Sequence, residues 1–180
     1  MSPNLLTKYK TTVVPALVKE FGYKNAMQAP RVTRVVINVG YGRFVKEPSF
    51  AENVVKTLIK ISGQKPVKTK SKKSISNFKI REGMEIGAKV TLRGTRMYQF
   101  LEKLVSVTFP RVKDFHGISD HGFDRDGNYT IGFKEHLAFP EVKIEELEKI
   151  HGLQLIVNTT AKNKAEGKAL LKHLGFPFEK

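Results

Sequence analysis

The sequence predicts an α+β fold: a mixed, mainly antiparallel sheet with helices packed on one face and a basic open face. Three observations carry this expectation. Strand-like and helix-like segments are interspersed along the 180 residues without the strict alternation that a parallel sheet demands. The two clearest strand segments each have one apolar side and one polar or basic side, the pattern of a sheet covered on one side only. Finally, 32 Lys and Arg stand against 17 Asp and Glu, a net charge of +15. A surplus of that size disfavours compaction by self-repulsion, so it points to an anionic partner. The length fits a single domain, 1–180, with an exposed basic loop at about 68–83.

The elements follow in order. Leu6, Tyr9, Val13, Leu17 and Phe21 recur at three- and four-residue spacing, so residues 5–21 read as a helix that Pro15 kinks or breaks and Gly22 ends. Residues 31–39 alternate as a strand does: Thr33, Val35, Ile37 and Val39 on one face, Val32, Arg34, Val36 and Asn38 on the other. Gly40-Tyr41-Gly42 then turns the chain. A helix over 48–61 lines up Phe50, Val54, Leu58 and Ile61 and stops at Gly63 and Pro66. From Lys65 to Arg81 lie seven cations (Lys65, Lys68, Lys70, Lys72, Lys73, Lys79 and Arg81) and no acid, read as short strand ends flanking an exposed basic loop.

Residues 86–93 form the cleanest strand, with Ala88, Val90 and Leu92 facing one way and Lys89, Thr91 and Arg93 the other. Gly94 ends it, and Thr95 is placed to cap a helix over 96–107 that buries Met97, Phe100, Leu101 and Leu104. Residues 110–127 read as a loop, with Pro110, Gly117 and Gly122, and Asp126-Gly127 is a hairpin signal before a strand at Tyr129–Phe133. Glu141, Glu145, Glu146 and Glu148 make an acidic cluster. Leu153–Thr159 is the last strand, and Asn163 with Glu166 resembles a capping box for a helix burying Leu170, Leu171 and Leu174. Gly175 ends that helix, and Phe176-Pro177-Phe178 tucks the tail down.

Two anionic partners suit the charge, nucleic acid and membrane. The membrane reading fails, because no run of roughly 18 apolar residues exists and the N-terminal residues contain no apolar signal core. With no Cys there is neither a disulfide nor a thiolate metal site, which fits a cytoplasmic chain. Enzyme signals are weak, and no catalytic residue, metal or cofactor is expected. Gly40-x-Gly42 follows a strand, but Val45 stands where a dinucleotide fingerprint needs its third glycine. His116 and His121 lack zinc-type spacing and read as loop residues. Asp124, Asp126, Asn128, Thr130 and Glu135 fit positions of a calcium loop, but Tyr129 occupies the place of the required glycine.

RNA is then the expected partner. Arg34, Asn38, Lys89, Thr91 and Arg93 project from the polar strand faces, cations for phosphates, and Asn and Thr for sugars or base edges. The cations of 65–81 are interleaved with Ser71, Ser74, Ser76, Asn77 and Phe78, which adds hydroxyl donors and a stacking ring to counterion release. A solvated flexible loop is the plainer reading of that run, and seven cations without an acid weigh against it.

From Arg31 onward the chain resembles the bacterial large-subunit ribosomal protein five family, which binds 5S rRNA. The resemblance rests on Lys-Ser-Ile-Ser-Asn-Phe-Lys-Ile-Arg-Glu-Gly at 73–83, Gly-x-Lys-Val-Thr-Leu-Arg-Gly at 87–94 and Arg-Met-Tyr-x-Phe-Leu at 96–101. Pro110-Arg111, Asp114-Phe115, Gly117, Gly127-Asn128-Tyr129, Phe139-Pro140-Glu141 and Thr159-Thr160-Ala161 extend it. It implies a structural component of the large subunit that helps attach 5S rRNA in the central protuberance. The implied partners are 5S rRNA, 23S rRNA, P-site tRNA, other 5S-binding large-subunit proteins and the small-subunit head protein thirteen, met in an intersubunit bridge. By the same resemblance Asn38, Gln64, Phe78 and Thr91 belong to the hydrogen-bond network to 5S rRNA. The loop carrying Lys70, Lys72, Lys73, Ser74, Lys79 and Arg81 resembles the one that reaches the tRNA. The glutamates at 141–148 would suit a basic partner. Two departures stand out: His116 in the place of an arginine and Asn158 in the place of an apolar residue. A free RNA chaperone and an enzyme on phosphorylated substrates are the competing readings. The second lacks a base, nucleophile or metal constellation.

Overall fold

A computed structural model describes residues 4–45, 47–113, 115–142 and 150–179. Helical turns α1 (Asn4–Lys8) and α2 (Val14–Phe21) are joined by a π-turn over Tyr9–Val13. Next come β1 (Val32–Gly40), α3 (Pro48–Ser62), β2 (Val67–Lys70) and β3 (Glu85–Leu92). The helix α4 (Gly94–Lys103) runs through a second π-turn, Leu104–Thr108, into α5 (Phe109–Arg111). The strands β4 (Tyr129–Phe133) and β5 (Leu153–Thr159) and the helix α6 (Lys164–Leu174) complete the chain. The strands form one five-stranded sheet in the order β2-β3-β1-β5-β4, antiparallel in an α+β fold.

The chain divides into two compact units, one of 1–35, 92–131 and 156–180, the other of 36–91 and 132–155. In the first, Leu5, Val13 and Leu17 are buried from the N-terminal helical run. Met97, Phe100, Leu101, Leu104 and Phe109 are buried from α4 to α5, and Leu170, Leu171 and Leu174 from α6. In the second, Phe50, Val54, Leu58 and Ile61 of α3 are buried, as are Ile37, Val39, Ala88, Val90 and Leu155 of the strands. The predicted faces of 48–61 and 86–93 are thus the buried ones.

Both prolines expected to break structure sit instead just after a π-turn. Val14 N–H donates to Tyr9 O and Phe109 N–H to Leu104 O, each across five residues, and Pro15 and Pro110 follow directly. A proline has no N–H to give and its ring crowds the preceding turn; a widened turn relieves the crowding and lets the helix continue. The helix therefore reaches Arg111, and the loop expected from 110 starts later. The wider turn also shifts phase, so that Leu5, rather than Leu6, falls in line with Val13 and Leu17. Thr95 does not cap α4: the helix begins at Gly94, and Arg93 holds the cap position with no side-chain bond.

At the start of β1 the alternation slips. Val32 is buried and Thr33 is exposed, its hydroxyl donating to Asn158 O at 3.1 Å, before Val35, Ile37 and Val39 resume the core side. The capping box at Asn163 is half realised. Glu166 N–H donates to Asn163 Oδ1 at 2.9 Å, while the Glu166 carboxylate accepts from Lys162 N, one residue before the cap. Phe176 is buried, and the tail pairs with Ile118 through Ile118 N–H to Pro177 O at 2.8 Å.

Gly167, inside α6, is the position where packing overrides helix propensity. Alanine normally favours a helix interior over glycine by roughly 1 kcal/mol, but a Cβ here would overlap the Gly127 carbonyl and lie 2.9 Å from Gly127 Cα. G167A is therefore expected to destabilise by about 2 kcal/mol in urea unfolding; a gain would show that the turn at Gly127 yields. All five tyrosines titrate above their ordinary value of 10, mainly because burial disfavours the phenolate. Tyr9, Tyr23 and Tyr129 reach about 12, assisted by Tyr98, Glu166 and Asp120 respectively. Their contribution to stability is complete below the unfolded value and is lost as pH climbs through the folded one. Phenolate absorbance should stay low at pH 10 and rise with loss of circular dichroism towards pH 12; phenolate formed near pH 10 with the fold intact would contradict this.

Candidate nucleic-acid interface

The polar side of the sheet follows from the apolar side. In the second unit Val39, Ala88 and Val90 face the core, so Asn38 of β1 and Lys89 and Thr91 of β3 take the other side. Asn38 and Thr91 are half-buried, and Lys89 is exposed. Gln64 joins them from beyond the C-terminus of α3. Gly63 caps that helix in the left-handed region at φ 65°, and the Ser62 hydroxyl lies 2.6 Å from Leu58 O and 3.0 Å from Gln64 O. Gln64 Nε2 then donates to Thr91 O at 3.4 Å, so Gln64 and Thr91 are brought together.

Phe78 lies elsewhere. It is 70% exposed on the connection between β2 and β3. Those strands pair antiparallel, Val67 opposite Lys89 and Lys68 opposite Ala88. Beyond them the basic run is a structured arm rather than a slack loop. Ser71 N–H donates to Met84 O, Gly83 N–H to Ser71 O, and Ile75 and Ile80 exchange backbone bonds at 2.8 and 3.2 Å. Lys79 turns the tip in the left-handed region at φ 54°, unusual for a residue with a Cβ. Glu82 N–H donates to the Ser74 hydroxyl at 3.0 Å. Lys70, Lys72, Lys73, Lys79 and Arg81 are exposed around this frame. Ser74, Ser76, Lys79, Ile80, Arg81 and Glu82 line an open depression in the arm.

In the first unit Arg34 and Arg93 are both exposed. Arg93 precedes α4 in extended backbone. Arg34 is held: its Nε donates to Asn158 Oδ1 at 3.1 Å. Sequence reasoning gave Asn158 no role, although it lies in step with Gln154 and Ile156 on the less buried side of β5 and was visible by that alternation. The calcium-like run has another use. The Asp124 carboxylate accepts from Asn128 N and Nδ2, both at 2.7 Å, which closes the turn before β4. Among the described residues no group of three or more His, Cys, Asp or Glu could hold a metal ion. No described helix is long and apolar enough to cross a membrane. Of the acidic cluster Glu141 is half-buried, and Glu145, Glu146 and Glu148 lie outside the described residues.

Comparison with known proteins decides the family. Residues 25–81 match ribosomal protein L5, and residues 85–178 match the ribosomal L5P family C-terminus. The chain belongs to the ribosomal protein L5 family. It is 52% identical over 180 residues to the large ribosomal subunit protein uL5 of Acholeplasma laidlawii, covering 100% of both chains. It is 53% identical over 176 residues to that of Thermoanaerobacter, covering 98% of each, and 51% identical over 180 residues to that of Streptococcus thermophilus. Membership of the L5 family makes the chain a structural, non-enzymatic constituent of the large ribosomal subunit, and its place is the bacterial ribosome in the cytoplasm.

Within this basic region Lys68 has an acidic partner, Glu85 at 2.7 Å across the β2–β3 pair; this hydrogen bond raises the lysine pKa. Both side chains are solvent-accessible, so the pair adds little to stability. E85Q is expected to leave the unfolding midpoint nearly unchanged while tightening RNA binding at low salt through the freed Lys68. Unchanged RNA affinity would place this strand edge outside the interface.

Proposed function

We propose that this L5-family chain binds 5S rRNA through the polar side of its sheet and helps attach it to the central protuberance. The carrying observation is Gln64 held on the backbone of Thr91, with Asn38 on the same polar side of the neighbouring strand. Asn38 and Thr91 are half-buried. Short side chains fixed by strand geometry lose little freedom on binding, which suits them to hydrogen-bond sugars and base edges; Lys89 supplies phosphate contact. In the first unit, taken by itself, the exposed cations Arg34 and Arg93 suit rRNA phosphate contact.

The arm between β2 and β3 has a different character. Its exposed cations and the exposed ring of Phe78 suit a second RNA surface, and we assign Lys70, Lys72, Lys73, Ser74, Lys79 and Arg81 to contact with P-site tRNA. Phe78 is better placed for stacking there than for the site at Thr91. Contacts with 23S rRNA, other 5S-binding proteins and the small-subunit head protein thirteen complete the proposed setting.

The test is binding of purified protein to 5S rRNA, tRNA and an unrelated duplex across a salt series. All three should weaken with salt, with slope magnitude roughly 0.7–0.9 per phosphate neutralised, and 5S rRNA should hold longest. T91A should weaken 5S binding about fivefold, the worth of one net hydrogen bond, with unchanged melting temperature. Equal binding of all three RNAs would reduce the interaction to net charge, and unchanged affinity in T91A would remove Thr91 from the site.

A further inference from the structure

We infer that Asn158 is a positioning residue for RNA binding, which holds the Arg34 guanidinium so that its outer edge takes an RNA phosphate. The inference rests on the reading of the sheet face as an rRNA surface and adds to it a residue which that reading does not contain.

The geometry is a relay of fixed polarity. At one end both Asp124 carboxylate oxygens accept, Oδ1 from Asn128 N–H, so the Asn128 amide turns its NH2 towards Asp124 as well, with Nδ2 to Oδ2 at 2.7 Å. Asn128 Oδ1 therefore faces the other way, where it accepts from Thr159 N at 3.0 Å and Asn158 Nδ2 at 3.4 Å. That orients Asn158 with Oδ1 outward, and Oδ1 accepts from Arg34 Nε at 3.1 Å. At this end the guanidinium only donates. Carboxylate at one end and guanidinium at the other leave a single assignment for both amides, so neither asparagine can flip without losing bonds at both of its ends.

The consequence lies in what remains of the arginine. A guanidinium donates from two edges, and Asn158 occupies Nε, leaving the Nη1–Nη2 edge for a bidentate contact with phosphate oxygens. Arg34 is exposed on β1, on the side opposite Val35 and Ile37. A free arginine on a strand surface samples many rotamers and loses them on binding; one tethered at Nε has already lost most of them. Lysine at 34 would keep the charge but could not be held this way, since it has no fixed fork.

The test is a double-mutant cycle on the full chain with 5S rRNA as the probe. R34A should weaken binding about tenfold, the loss of charge-assisted hydrogen bonds. N158A should weaken it about threefold, the cost of ordering one long side chain. In either an R34A or an R34K background N158A should add nothing. The Arg34 Nε–H should give a resolved, slowly exchanging NMR signal in the free protein that N158A abolishes while the melting temperature holds. R34K leaves Asn128 and its turn untouched, so it reports on the tether even if N158A unfolds. Additive effects of R34A and N158A, or an unchanged affinity in R34A, would overturn the inference. Loss of preference for 5S rRNA over tRNA in the wild-type chain would instead overturn the proposed function, and the coupling between positions 34 and 158 would still be read on either RNA.

Discussion

Strand β1 lies in the middle of the sheet, between β3 and β5, and its period of two constrains much of the structure. Val35, Ile37 and Val39 must point at the core, and each is buried to 2% exposure or less. That requirement drives Arg34, Val36 and Asn38 to the opposite side with no choice of their own. The same holds on β3, where burial of Ala88, Val90 and Leu92 places Lys89 and Thr91 outward. A slip of one residue in either strand would bury the cations and expose the aliphatic residues. The hydrophobic core is thus what displays the polar groups, and the candidate RNA surface needs no separate folding signal.

The arm between β2 and β3 shows a different balance. Its connecting stretch carries Lys72, Lys73, Lys79 and Arg81 against one acid, Glu82, and has too few apolar residues to form a core of its own. It is held by backbone bonds instead, through the Ser71–Met84 and Ile75–Ile80 pairs and the left-handed turn at Lys79. Because its order does not depend on burial, its side chains stay exposed. The aromatic ring of Phe78 is left in solvent on the arm, as stacking requires, and Ile75 is also exposed.

Some polar residues near the sheet are linked to one another. The Asp124–Asn128–Asn158–Arg34 series begins in a turn and ends on an exposed cation. Aspartate here serves as the anchor of a hydrogen-bond direction, which gives Asp124 and Asn128 of the calcium-like run a structural role. The second unit holds a further polar pair inside its core, His136 and His151, with stacked rings 3.9 Å apart. Nothing in the local sequence marks those histidines as neighbours, since they meet only when the segment before residue 140 and the start of β5 are brought together.

The sequence by itself determined the elements and their inner faces, because periods of two and of three to four residues are local properties of the backbone. Phe50, Val54, Leu58 and Ile61 declare a helix face, and Ala88, Val90 and Leu92 a strand face, wherever the chain ends up. It also determined the charge, the basic run and the motifs that led to the family. What only the tertiary structure decided were matters settled by contacts between distant residues. Pro15 and Pro110 stay inside helices because π-turns accommodate them, and Gly167 is required by the carbonyl of Gly127, forty residues earlier in the chain. Gln64 meets Thr91, Phe78 stands apart on the arm, and Asn158 finds Arg34 across paired strands. Hydrogen bonds are short-ranged and directional, so these partnerships do not exist until the strands are in register.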